Sequence, residues 1–175
     1  SGNSSLNIKN GSIAFNNYYS KANRKSMGAV AVKDTSTLNA TNVNMSNKYT
    51  GTVVYATDNA DVTLFGGDYK VQNGFAIYLE RQASLTLDGG VYIHTVMGDA
   101  TNTAFVDGYG ALYSESTGTL NVDNVSFKSG VQVSSSQIDA FSIEAHEVTI
   151  NDKVLTEDIF EGNNTEAKQQ NKEYY

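Results

Sequence analysis

One short phrase of alternating apolar and polar residues returns along the chain, as SLNIKNGSI, TLNATNVNM, DVTLFGGDY, SLTLDGGVY, TLNVDNVSF and EVTINDKVL. The copies are anchored on Leu6, Leu38, Val62, Leu85, Leu120 and Val148, at intervals of 23 to 35 residues. Two residues after each anchor stands a second apolar residue (Ile8, Ala40, Leu64, Leu87, Val122, Ile150), with a polar residue between them. That period of two predicts a strand with one buried face. Four residues after the anchor come Asn10, Asn42, Gly66, Gly89, Asn124 and Asp152, the residue types that tolerate a left-handed backbone, so the chain turns there. Seven residues after the anchor, Ile13, Met45, Tyr69, Tyr92, Phe127 or Leu155 begins a second apolar side.

A third apolar segment precedes most anchors: GAVAV (28–32), TVVYA (52–56), FAIYL (75–79), ALYS (111–114) and AFSI (140–143). Its inward pairs are Val30/Val32, Val54/Ala56, Ile77/Leu79, Leu112/Ser114 and Phe141/Ile143, all apolar but for Ser114. Equivalent residues recurring in one column require each copy to stack on the last, which an antiparallel sandwich does not. The pattern predicts an all-β, right-handed parallel β-helix of about five to six coils with three short strands each, the loops varying in length at one corner. Residues 1–155 form the solenoid, a piece of a longer one because the first copy lacks its preceding strand, and residues 156–175 form a polar cap or tail.

The composition suits this picture. Among 175 residues there are 15 Gly and 11 Tyr, and no Pro or Cys. Without cysteine there is neither a disulfide nor a thiolate metal site, which fits both a cytosolic protein and a bacterial surface protein. A formal charge of −7 repels phosphate backbones and argues against a nucleic-acid partner. No apolar run reaches the length of about 20 residues that a membrane helix needs.

The Asn or Gly turn between two strands of every coil resembles the right-handed β-helices of the pectate-lyase-like superfamily over about residues 4–155. FNN (15–17) followed by GAVAV resembles the repeats of bacterial autotransporter passenger domains. The resemblance implies a secreted or surface-displayed, virulence-associated adhesin, extracellular on a bacterium, with no cofactor. It also brings in an alternative, a polysaccharide-active lyase or hydrolase or a phage tailspike segment. The Asn-Thr-Asp, Asp-Asp and Gly-His-Gly motifs of polygalacturonase-like enzymes are absent from the sequence, which favours a noncatalytic module.

Two features are candidate binding sites. Tyr55, Tyr78 and Tyr113 occupy the outward position of consecutive third-side strands and should form a ladder, either as cross-strand packing or as a platform for a sugar or protein. The loop from Ala14 to Met27 gathers Tyr18, Tyr19, Lys21, Arg24 and Lys25 in an otherwise acidic chain. With the loop from Ile93 to Tyr109 it should frame a trough three strand spacings wide, about 14 Å. No catalytic or metal-binding residue is assigned. Glu80 and Glu115 follow third-side strands of adjacent coils at columns one position apart and are weighed as a carboxylate pair. Asp58, Asp61, Asp99 and Asp107 match no calcium-loop spacing, and His94 and His146 have no third ligand or triad partner. The expected function is adhesive or structural, toward a host-cell surface glycan or protein. Flanking coils of a longer parent chain, and self-association through open β-helix ends, are the further partners expected.

Overall fold

The computed structural model describes residues 2–16, 28–49, 51–95, 110–134, 136, 137, 140, 148–154 and 172–174. Its strands are β1 (Ser5–Phe15), β2 (Gly28–Val32), β3 (Thr37–Asn47), β4 (Gly51–Ala56), β5 (Asp61–Phe65), β6 (Asp68–Gln72), β7 (Gly74–Leu79) and β8 (Ser84–Asp88). They continue as β9 (Val91–Thr95), β10 (Gly110–Ser114), β11 (Leu120–Asp123), β12 (Ser126–Lys128), β13 (Val131–Ser134), β14 (Thr149–Ile150), β15 (Lys153–Val154) and β16 (Lys172–Tyr174). The fold is all-β, with parallel sheets that curl into a half-barrel.

The anchor column sets the register. Leu6, Leu38, Val62, Leu85 and Leu120 lie opposite one another in successive parallel pairings. From Leu38 onward all are buried, each such side chain stabilising the core by about 1.5 to 3 kcal/mol. A second column runs Ile13, Met45, Tyr69, Tyr92 and Phe127, with the Tyr69 and Tyr92 rings stacked at 4.8 Å. The larger sheet bends between these columns because every residue of the turn position takes a left-handed backbone: Asn10, Asn42, Gly66, Gly89, Asn124 and Asp152 have φ of 53°, 51°, 63°, 72°, 53° and 66°. At Asn10 and Asn42 the strand runs through the bend. Gly66 is followed by Gly67 at φ 90°, where an added Cβ would strike the Val43 carbonyl, and there the strand divides into β5 and β6.

The smaller sheet orders as β16, β13, β10, β7, β4, β2. Its inward columns pair Val30 with Val54 and Ile77 with Leu112. The place beside β10 is taken by β13, with Leu112 opposite Val131. Sequence alternation assigns that place to AFSI (140–143), of which 141–143 lie outside the described residues. The corner Ser129-Gly130 is short enough for VQVS to enter the sheet directly after β12.

The last copy departs from the pattern. Val148 does not stack on Leu120; the strand that follows it pairs with β12, placing Ile150 opposite Phe127. Asn151 and Asp152 both have positive φ, the geometry of a tight two-residue hairpin turn, and β15 returns antiparallel to β14. With β16 antiparallel to β13, two sides of the stack end here on antiparallel strands, while the anchor column ends on the parallel strand β11.

Candidate functional site

The tyrosine column forms as the alternation predicts. Tyr55 lies opposite Tyr78, and Tyr78 opposite Tyr113. Tyr78 and Tyr113 stack at 4.9 Å with 14° between planes, Tyr55 and Tyr78 tilt at 6.0 Å, and Phe75 joins at 5.4 Å from Tyr78 and 5.1 Å from Tyr113. The Lys33 ammonium lies 5.7 Å above the Tyr55 ring. The column is not an exposed platform, however: Tyr55 is 6% and Tyr78 0% exposed, and only Tyr113 is half-buried. Val53, Ala76 and Ala111 are fully buried in the main core, while Tyr55, Phe75 and Tyr78 form a separate buried cluster with Tyr113 packed against it. Strands covered on both faces are apolar nearly throughout, as TVVYA and FAIYL are.

Carboxylates cap the ring edges. The Tyr55 hydroxyl donates to Glu80 Oε2 at 2.7 Å, the Tyr78 hydroxyl to Glu115 Oε1 at 2.8 Å and the Tyr113 hydroxyl to Glu115 Oε2 at 3.3 Å. Loss of solvent, then the hydrogen bond to Glu80, pushes the Tyr55 phenol up to about 12. Burial, then Glu115, raises Tyr78 further. Both phenols are therefore protonated donors at neutral pH, not nucleophiles. Glu80 and Glu115 share one column and are not offset: Ser114 lies opposite Leu79, and the Glu115 amide donates to the Leu79 carbonyl.

A second turn column, without an Asn or Gly signature throughout, borders these carboxylates. Asp34, Asp58 and Arg81 have φ of 60°, 64° and 60°. Each sits in a turn closed by an i to i+3 hydrogen bond, from Ser36 to Lys33, Ala60 to Thr57 and Ala83 to Glu80. Arg81 Nη1 meets Asp58 Oδ1 at 2.6 Å. Of the other residues weighed for chemistry, His94 is buried with Nδ1 3.2 Å from Ser129 Oγ, and Asp61 begins β5 in an exposed position. Among the described residues no three metal-ligating side chains come together. Asp99, Asp107 and His146 lie outside the described residues, as do the loop candidates Tyr18, Tyr19, Lys21, Arg24 and Lys25.

The cavity of interest lies at the other corner, where the trough is expected. A cleft of about 440 Å³ is lined by Asn16, Ser46, Asn47, Lys48, Lys70, Gln72 and Thr95. Register explains the assembly. Phe15 lies opposite Asn47, Ser46 opposite Lys70, and Gln72 opposite Thr95, so the lining rises through four successive copies of the repeat. Asn47 is buried and braces the corner, its Nδ2 donating to the Thr52 carbonyl at 3.1 Å. Thr95 Oγ1 donates to the Val71 carbonyl at 3.4 Å. Lys48 and Lys70 are exposed, with the Lys48 ammonium 5.4 Å over the Tyr49 ring. Among the described residues, amides, hydroxyls and two ammonium groups line this cleft and no carboxylate does, in a chain of formal charge −7. That arrangement suits a ligand bearing hydroxyls and negative charge. The loops expected to frame the trough lie for the most part outside the described residues; Lys48 and Lys70 carry no signal in the sequence, because single outward lysines look like an ordinary solvated face.

Comparison with protein-family models, with curated proteins and with solved structures finds no match for this chain.

Proposed function

We propose that the chain is a right-handed parallel β-helix module of the pectate-lyase-like, autotransporter-passenger kind, displayed extracellularly on a bacterium, that binds an acidic glycan without transforming it. The observation that carries this reading is the cleft at the end of β3, β6 and β9, whose described lining offers hydrogen-bonding amides and hydroxyls beside Lys48 and Lys70 and includes no carboxylate. Its lining sits on hydrogen-bonded strands and on the braced Asn47 corner, so the scaffold is rigid and binding carries little ordering cost. The tyrosine ladder supports the same reading as a structural rib: its rings are stacked and its hydroxyls already engaged.

The test is an array of acidic and neutral glycans, read at low and high salt. Wild-type protein is expected to select uronate- or sulfate-bearing glycans, with binding that weakens as salt rises. Lys48→Ala with Lys70→Ala, both at exposed positions, should weaken it by about tenfold without altering unfolding. Selection of neutral glycans or of a host protein, or indifference to the double variant, would overturn it. A second reading, a glycan hydrolase or lyase, draws on Glu80 and Glu115 standing on adjacent strands in one column. Under that reading an acidic polysaccharide is shortened by wild type and left intact by Glu80→Gln.

A further inference from the structure

The two ends of the stack differ. At one end the antiparallel strands β15 and β16 terminate two sides of the stack, and the parallel strand β11 ends the anchor column. At the other, β1 and β2 are edge strands: among the described residues β1 pairs only with β3, and β2 only with β4. Leu6, the first member of the anchor column, is 47% exposed, whereas Leu38, Val62 and Leu85 are exposed by 1% or less. Ile8 and Ile13 are only half-buried, and a hollow of about 170 Å³ opens beside Leu6, Val30, Val32 and Leu38. Because Thr37 donates to the Ser4 carbonyl, the alternation of a parallel ladder turns the amides of Ser5, Asn7 and Lys9 to the opposite edge, along which no described strand pairs. The edge is 11 residues long and carries a single charge, Lys9, and no proline. Apart from Lys9, the strand itself carries neither the charges nor the proline that usually keep an edge from pairing.

We infer that this edge is a docking surface for one more strand of the chain's own repeat pattern, added in parallel against β1. The occupant follows from the interfaces above it. Every inter-copy pairing from β1 to β11 sets an apolar residue on the anchor, a second apolar residue two positions on and a left-handed Asn or Gly at the bend. A strand with that spacing covers Leu6, Ile8 and Ile13 together and continues the turn column at Asn10. Asn7 already accepts from the Asn39 side chain at 2.9 Å, and an Asn at the same position of the incoming strand would extend that ladder. At the far end, of the described strands only β11 keeps the repeat register, and the antiparallel β15 and β16 beside it leave a second copy stacked head to tail without matching strands on the other sides.

The test adds the synthetic peptide TLNATNVNMSN, the sequence of β3, to the full chain and follows amide hydrogen exchange. Exchange at Ser5, Asn7 and Lys9 should slow by about tenfold, while a peptide of scrambled order leaves it unchanged. Leu6→Lys replaces an already exposed side chain, and Lys9→Pro removes one edge donor without touching the β1–β3 ladder; each should abolish the protection while thermal unfolding stays that of wild type. Absence of protection at millimolar peptide would overturn the inference. So would equal protection by the scrambled peptide, protection confined to β15 or β16, or protection without peptide that rises with protein concentration and reports pairing between two β1 edges.

Discussion

Tyr78→Ala separates an exposed platform from a buried rib. Tyr78 is 0% exposed, stacked on Tyr113 at 4.9 Å, flanked by Phe75 and Tyr55, and hydrogen-bonded to Glu115 at 2.8 Å. Truncating a large buried aromatic destabilises by about 3 to 5 kcal/mol, through lost transfer energy and the cavity left behind. The stacked pair adds about 0.5 to 1.5 kcal/mol within that range. Tyr78→Phe keeps the ring and removes only the hydroxyl. Its acceptor, Glu115, is exposed and also receives Tyr113, so water replaces the donor at about 1 to 2 kcal/mol. Urea unfolding followed by far-ultraviolet circular dichroism measures both variants. With a slope of about 2 kcal/mol per molar urea, the midpoint should fall by about 1.5 to 2.5 M for the alanine variant and by less than about 1 M for the phenylalanine variant. A Tyr78→Ala midpoint within about 0.2 M of wild type would refute the buried rib.

Three further outcomes are expected. Asn124→Val places a β-branched residue at φ 53° and should destabilise by about 1 to 2 kcal/mol, read as a lowered urea midpoint; Asn124→Gly should be tolerated. Gly74→Ala drives a methyl group into the Gly51 carbonyl across the β4–β7 pairing and should lower the midpoint by about 1 M or more. Raising the pH should unfold the chain through its phenols. Tyr55 is raised to about 12 when folded and titrates near 10 when unfolded, so its contribution is complete below pH 10 and is lost as pH rises from 10 to 12. Tyrosinate absorbance and circular dichroism should therefore change together, and at lower pH in Glu80→Gln if that substitution frees the phenol.

The parts of the fold legible in the sequence are those in which a local rule repeats. Leu6 to Leu120 stand at one phase of a period-two pattern, and Asn10 to Asp152 share a residue type that the left-handed conformation selects, so register and bend both follow. Val148 and Asp152 obey the same local rules, yet the chain reverses at Asn151 and Asp152 into an antiparallel hairpin, and the last copy leaves the register. Arg81 at positive φ carries no compositional signal; only its phase with Asp34 and Asp58 reveals that turn column. Alternation shows which face Tyr78 occupies but not whether that face is covered. The available clue was the unbroken apolar run of its strand, FAIYL. The cleft brings together residues from four copies, and neither Lys48 nor Lys70 has a neighbour in sequence that marks it for binding.

Chemical-shift mapping of the bound glycan tests the proposed function most directly. Titrating an acidic oligosaccharide selected on the array into isotope-labelled protein should move the amides of Asn16, Ser46 to Lys48, Lys70 to Gln72 and Thr95. Those of Tyr55, Tyr78 and Tyr113 should stay in place. Movement confined to the tyrosine strands, or no movement near Lys48 and Lys70 at saturating ligand, would contradict the account.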